Sequence, residues 1–114
     1  MKDGGITPAK VAGSVNAQTG TTYTTVIGDA FKTVTMSNAS ANTLTIPANA
    51  SVAYSISDRI DIIMLGAGVT TVTGDTGVTV NGVSAGSGAL AQYGACSLLN
   101  IGTDTWLCIG LGIA

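Results

Sequence analysis

The chain is 114 residues long, one domain's worth, with only 9% charged side chains, a net charge of −2 and no histidine. Its four basic residues, Lys2, Lys10, Lys32 and Arg59, are scattered, and Asp58 and Asp61 flank the only arginine; the sequence offers no basic stripe to neutralise phosphates, so no nucleic-acid partner is expected. Every acid is aspartate, and with glutamate and histidine both absent the commonest general bases and metal ligands are missing, so the chain reads as a non-enzyme with no catalytic residue, cofactor or metal.

Residues 1–20 read as a docking arm, separate from a β-domain over 21–114. The start, MKDGGITPAK, has no apolar stretch of the kind a signal peptide needs, so synthesis in the cytoplasm is expected. Thr7, Pro8 and Gly13 have the order of an N-cap, a first helical position and a C-terminal stop, so a helix of one or two turns is expected there. Too short to stand alone, it would dock through Ile6, Pro8, Val11 and Val15.

From residue 21 onward Thr, Val and Ile dominate, and the pattern is strands and turns. Strands are expected near 22–27, 32–37, 42–46, 51–54, 59–65, 69–73, 78–80, 89–93, 96–101 and 105–110. Turn chemistry separates them at Gly28-Asp29, Ser37-Asn38, Pro47, Ser57-Asp58, Gly66-Ala67-Gly68, Gly74-Asp75, Asn81-Gly82 and Gly102-Thr103-Asp104. About 8 to 10 short strands at this spacing predict an all-β, antiparallel β-sandwich or barrel-like domain. Val34-Thr35-Met36-Ser37 and Leu44-Thr45-Ile46 alternate apolar and hydroxyl residues, as strands with one wet face do.

The candidate chemical motifs reduce to turns. Ser57-Asp58-Arg59-Ile60-Asp61 holds two carboxylates and an arginine but too few oxygen ligands for calcium, and reads as a turn entering a strand. Gly74-Asp75-Thr76-Gly77 resembles the aspartic-protease triplet, which works only as two copies in a deep cleft; between glycines it reads as a hairpin turn. The run Gly82 to Gly88 lacks the Lys and the following helix of a phosphate loop. Although mean hydropathy is +0.49, no run approaches the ~18 apolar residues of a spanning helix, so no membrane partner is expected.

The last hairpin is the informative one. Registered through Gly102-Thr103-Asp104, it sets Ile101 opposite Thr105, Leu99 opposite Leu107 and Leu98 opposite Cys108. Cys96 then lies diagonal to Cys108, beyond usual disulfide reach. Trp106 and Cys108 fall on one side of the strand and Leu107 and Ile109 on the other, and neither side is polar. Both sides need cover, so Trp106, Leu107, Ile109 and Leu111 are expected at a contact between copies of the chain.

The succession Thr21-Thr22-Tyr23-Thr24, Thr33-Val34-Thr35-Met36-Ser37-Asn38-Ala39-Ser40-Ala41, Leu44-Thr45-Ile46-Pro47, Ile60-Asp61-Ile62 before Leu65-Gly66-Ala67-Gly68, Gly77-Val78-Thr79-Val80-Asn81, Ala91-Gln92-Tyr93 and Thr105-Trp106-Leu107 resembles a small all-β domain of tailed-bacteriophage structural proteins. The resemblance spans roughly residues 20–112. It implies a homotrimer, a place in the virion and no enzyme activity. The leading expectation is a capsid decoration or cement protein that contacts the major capsid protein or another virion protein. The alternative is a head or tail fibre domain that touches a host surface receptor through loops 38–42 and 82–88.

Overall fold

The computed structural model describes residues 15–110. Its strands are β1 (Val15–Gln18), β2 (Thr22–Thr24), β3 (Thr33–Met36), β4 (Asn42–Ile46), β5 (Arg59–Met64), β6 (Thr70–Gly74), β7 (Thr79–Val80), β8 (Val83–Ser84), β9 (Ser87–Leu90), β10 (Ala95–Gly102) and β11 (Thr105–Ile109). The one helical element among the described residues is a 3-10 turn, Ile27–Asp29. The protein is therefore all-β.

Alternation decides which way each strand faces. In β4, Asn42, Leu44 and Ile46 are buried while Thr43 and Thr45 are half-buried, and β6 repeats the pattern with Thr70, Val72 and Gly74 inside. The inward rows of the two sheets, including Val34, Met36, Ile62 and Met64 from one and Leu44, Ile46 and Val72 from the other, form one core. Burying each large side chain stabilises by roughly 1.5–3 kcal/mol.

The pairing differs from the antiparallel sandwich expected. The sheets run β1-β3-β5-β10-β11-β7-β8 and β2-β4-β6-β9, and β1/β3/β5 and β2/β4/β6 are parallel. From β1 to β6 the chain passes from one sheet to the other and back, so each strand lies beside the one two elements earlier. The turn signals at Ser37-Asn38 and Gly66-Ala67-Gly68 are corners of this winding and not hairpins. Antiparallel pairing is confined to the later part, β9 on β6, β8 on β7 and β10 between β5 and β11, while β7 lies parallel to β11.

The corners stack on one another. Ser37 N donates to Gln18 O at 2.9 Å, Leu65 N to Met36 O at 2.8 Å, and Gly68 N to Asn38 O at 2.9 Å. Contact is so close that a Cβ on Gly66 would lie 2.4 Å from Asn38 N, and one on Gly68 2.0 Å from Ser40 O. Inside the corner, Thr70 Oγ1 donates to Asn42 Oδ1 across paired strands.

Among the described residues β1 is the edge of its sheet, and the inward positions of this first turn of the winding are polar. Asn16 and Gln18 are paired with Val34 and Met36, so they take the places that apolar side chains fill in later turns. Asp29, 1% exposed, anchors them. Its Oδ2 accepts from Tyr23 OH at 2.5 Å and Val26 N at 3.0 Å, and its Oδ1 from Asn16 Nδ2 at 2.8 Å. Burial and the bond to Asp29 push the Tyr23 phenol well above its ordinary range.

Other boundaries moved for local reasons. Val15–Gln18, assigned to the arm, is a sheet strand. Residues 51–54 are no strand: Ser51 N and Val52 N both donate to Ala48 O, and this turn swings Tyr54 into the core. Strand β9 stops at Leu90 because Gly94 N donates back to Ala91 O at 2.8 Å, which leaves Tyr93 at φ 65°. The short β8 answers β7 across Asn81-Gly82, both at positive φ. The helix expected after Thr7, and Ile6, Pro8, Val11 and Leu111, lie outside the described residues.

Candidate interaction surface

The last hairpin keeps the expected register at Leu98 with Cys108 and Leu99 with Leu107. It then slips: Thr105 pairs with Gly102 in place of Ile101. Asn100 Oδ1 accepts from Gly102 N at 3.0 Å, holding a bulge that leaves Ile101 exposed.

Trp106 does not belong to a contact between copies. It is 2% exposed, inside the chain's own core, where β7 flanks it through Val80 and Tyr54 meets it edge-on at 5.1 Å. The loop between β4 and β5, read as carrying a strand, supplies this cover. Leu107 and Ile109, on the other side of β11, are 37% and 50% exposed.

These two continue outward rows that cross the seven-stranded sheet. One row is Val15, Thr33, Asp61, Ser97 and Ile109. Beside it run Ala17, Thr35, Ile63 and Ala95, and Arg59, Leu99 and Leu107. Between them lies a pocket of about 290 Å³ lined by Thr33, Asp61, Ile63, Ala95, Ser97 and Ile109, among others. Ser97 Oγ donates to Asp61 Oδ1 at 2.6 Å.

The outer face of the other sheet makes a contrast. Its rows are Thr22, Thr43, Thr71 and Ala89, and Thr24, Thr45, Thr73 and Ser87, small and mostly hydroxyl-bearing. Water satisfies such a face; it does not satisfy the isoleucines and leucines of the first.

The remaining motifs are structural. Asp58 Oδ2 accepts from Ser55 N at 2.9 Å, closing the turn before β5, so it and Asp61 do not act as a pair. Asp75 Oδ1 accepts from Thr76 N at 2.8 Å and Asp75 O from Val78 N at 2.9 Å; this turn joins strands of different sheets. Asn38 and Asn42 spend their amides on Thr19 O and Ser40 O, within the corners. Cys96 and Cys108 are free thiols, both buried. A hydrogen bond to Cys108, with burial, pushes the Cys96 thiol up. Among the described residues no three His, Cys, Asp or Glu side chains gather as metal ligands, and no helix is long and apolar enough to cross a membrane.

The fold and this surface define an all-β domain of two mixed sheets with one hydroxyl-bearing and one apolar outer face. No protein-family model matches the chain, and no curated protein or solved structure is significantly similar to it.

Proposed function

We propose that this chain is a structural subunit of a bacteriophage virion, a trimeric capsid decoration or cement protein that stabilises the shell by surface contact. The order of its strand and turn segments supports the virion assignment through the resemblance described above. The observation that carries the assembly is the apolar group Ile63, Leu99, Leu107 and Ile109 on the outer face of the seven-stranded sheet, where Leu107 and Ile109 are 37% and 50% exposed; Val15, 64% exposed, ends the same face beyond Thr33, Asp61 and Ser97. At ~25 cal/mol per Å² of apolar surface removed from water, covering such a face favours association more than a few polar contacts would. The mechanism is mechanical: copies share this face, and the cluster braces neighbouring capsid subunits against the pressure of the packaged genome. The experiment is to add purified protein to emptied, expanded capsids and separately to host cells. Saturable binding to capsids that raises their resistance to heat is the expected result; binding to cells alone would move the protein to a fibre.

A further inference from the structure

Charge is scarce on the apolar face of the seven-stranded sheet, and β5 supplies both signs of it. Arg59 and Asp61 point outward from the same strand, with buried Ile60 between them turned into the core. Arg59 is exposed. Asp61 is half-buried in the pocket wall, and Ser97 holds one of its oxygens. Among the described residues the other oxygen, Oδ2, accepts no hydrogen bond.

A face with an exposed guanidinium beside a pocketed carboxylate is complementary to itself. We propose that this face docks on the same face of a second copy, with Arg59 of one copy entering the pocket between Ile63, Ser97 and Ile109 of the other to pair with Asp61. The inference rests on the self-association proposed above and names its contact. The apolar rows supply affinity, and the ion pair sets orientation, because a carboxylate covered without a partner is costly. Guanidinium suits the role: it pairs with a carboxylate through two parallel N–H donors and is less tightly hydrated than an ammonium. In the proposed trimer each copy passes its arginine to the next around the ring.

The test is sedimentation of the full chain and of Asp61→Arg, Arg59→Asp and the double swap across micromolar concentrations, with Trp106 fluorescence as the check of folding. Each single variant is expected to associate at least about tenfold more weakly. The double swap is expected to recover association. Wild-type affinity in both single variants, or failure of the double swap to recover association, overturns this contact while leaving self-association intact. A wild-type chain that stays monomeric removes the contact and the proposed assembly together.

Discussion

Tyr54 meets Trp106 edge to face, with ring centroids 5.1 Å apart and planes at 85°, while Leu107, the next residue along β11, looks out from the opposite side of the sheet. Neighbouring positions therefore make different demands. Trp106→Ala should cost about 3–5 kcal/mol in urea unfolding of the dissociated chain, from lost burial and the cavity left behind. Leu107→Ala should cost under about 1 kcal/mol in the same assay, yet shift sedimentation toward monomer. Equal losses of stability would contradict the opposite facing of the two side chains.

Alkaline pH should destabilise the protein, in part through Tyr54. Burial is the main cause that pushes its phenol from 10.0 up to about 12, opposed by the Thr25 hydrogen bond and reinforced by Asp29 and Asp58. Its hydroxyl also donates to Val26 O at 2.6 Å. Because the folded state holds this proton more tightly than the unfolded chain, the stabilisation is intact below pH 10. It is lost as pH rises from 10 to about 12, amounting to roughly 2–3 kcal/mol. Tyr54→Phe, less stable near neutrality for want of its hydrogen bonds, should show a shallower decline over that interval in denaturant midpoints.

Two glycines test the corner stacking against a third. Gly66→Ala and Gly68→Ala force a methyl into the backbone of Asn38 and Ser40 and should each cost about 3 kcal/mol or more. At Gly28 nothing lies within 4 Å of an added Cβ, and Gly28→Ala should be neutral or stabilise by up to ~1 kcal/mol. Thermal unfolding of the three variants ranks them directly.

Asp29→Ala should strip the polar end of the winding of its anchor, leaving Tyr23 OH, Asn16 Nδ2 and Val26 N without their acceptor. At ~1–3 kcal/mol for a stranded buried group, a loss of about 3 kcal/mol is expected. Asp29→Asn, which keeps one acceptor oxygen, should lose less. Faster hydrogen exchange confined to β1 and β2 would locate the damage.

The thiols of Cys96 and Cys108 should react slowly with a disulfide reagent in the folded protein and at ordinary rates in urea, since both are buried and Cys96 resists ionisation. Rapid labelling of both under native conditions would show the β10–β11 end to be open.

Much of this was readable along the chain. The alternation of Leu44-Thr45-Ile46 announced a strand with a wet outer face, and Leu107 and Ile109 announced a side needing cover; the same alternation in β3 misled, because Thr35 is 8% exposed and lies on the face with Ile63. Glycines at 66 and 68 announced punctuation but not its kind, because a corner between sheets and a hairpin turn draw on the same residues. Tyr54 was hidden in a segment whose apolar residues imitate a strand. Nothing near Trp106 in sequence says that a tyrosine 52 positions earlier covers it. Asp61 was legible as a charge in a strand; its place in a pocket with Ser97 depends on the β5–β10 register.

Alternation by itself determined the class of the protein and the facing of most strands, because a period of two fixes which side chains share a surface wherever the strand lies. Which strand lies beside which was decided only in three dimensions. Parallel and antiparallel neighbours leave the same local pattern, and the choice between them turns on corner stacking at Gly66 and Gly68, on Tyr54 closing over Trp106, and on a polar first turn that can meet water. Those are contacts between residues far apart in the chain, and their energies exist only once the sheets have formed.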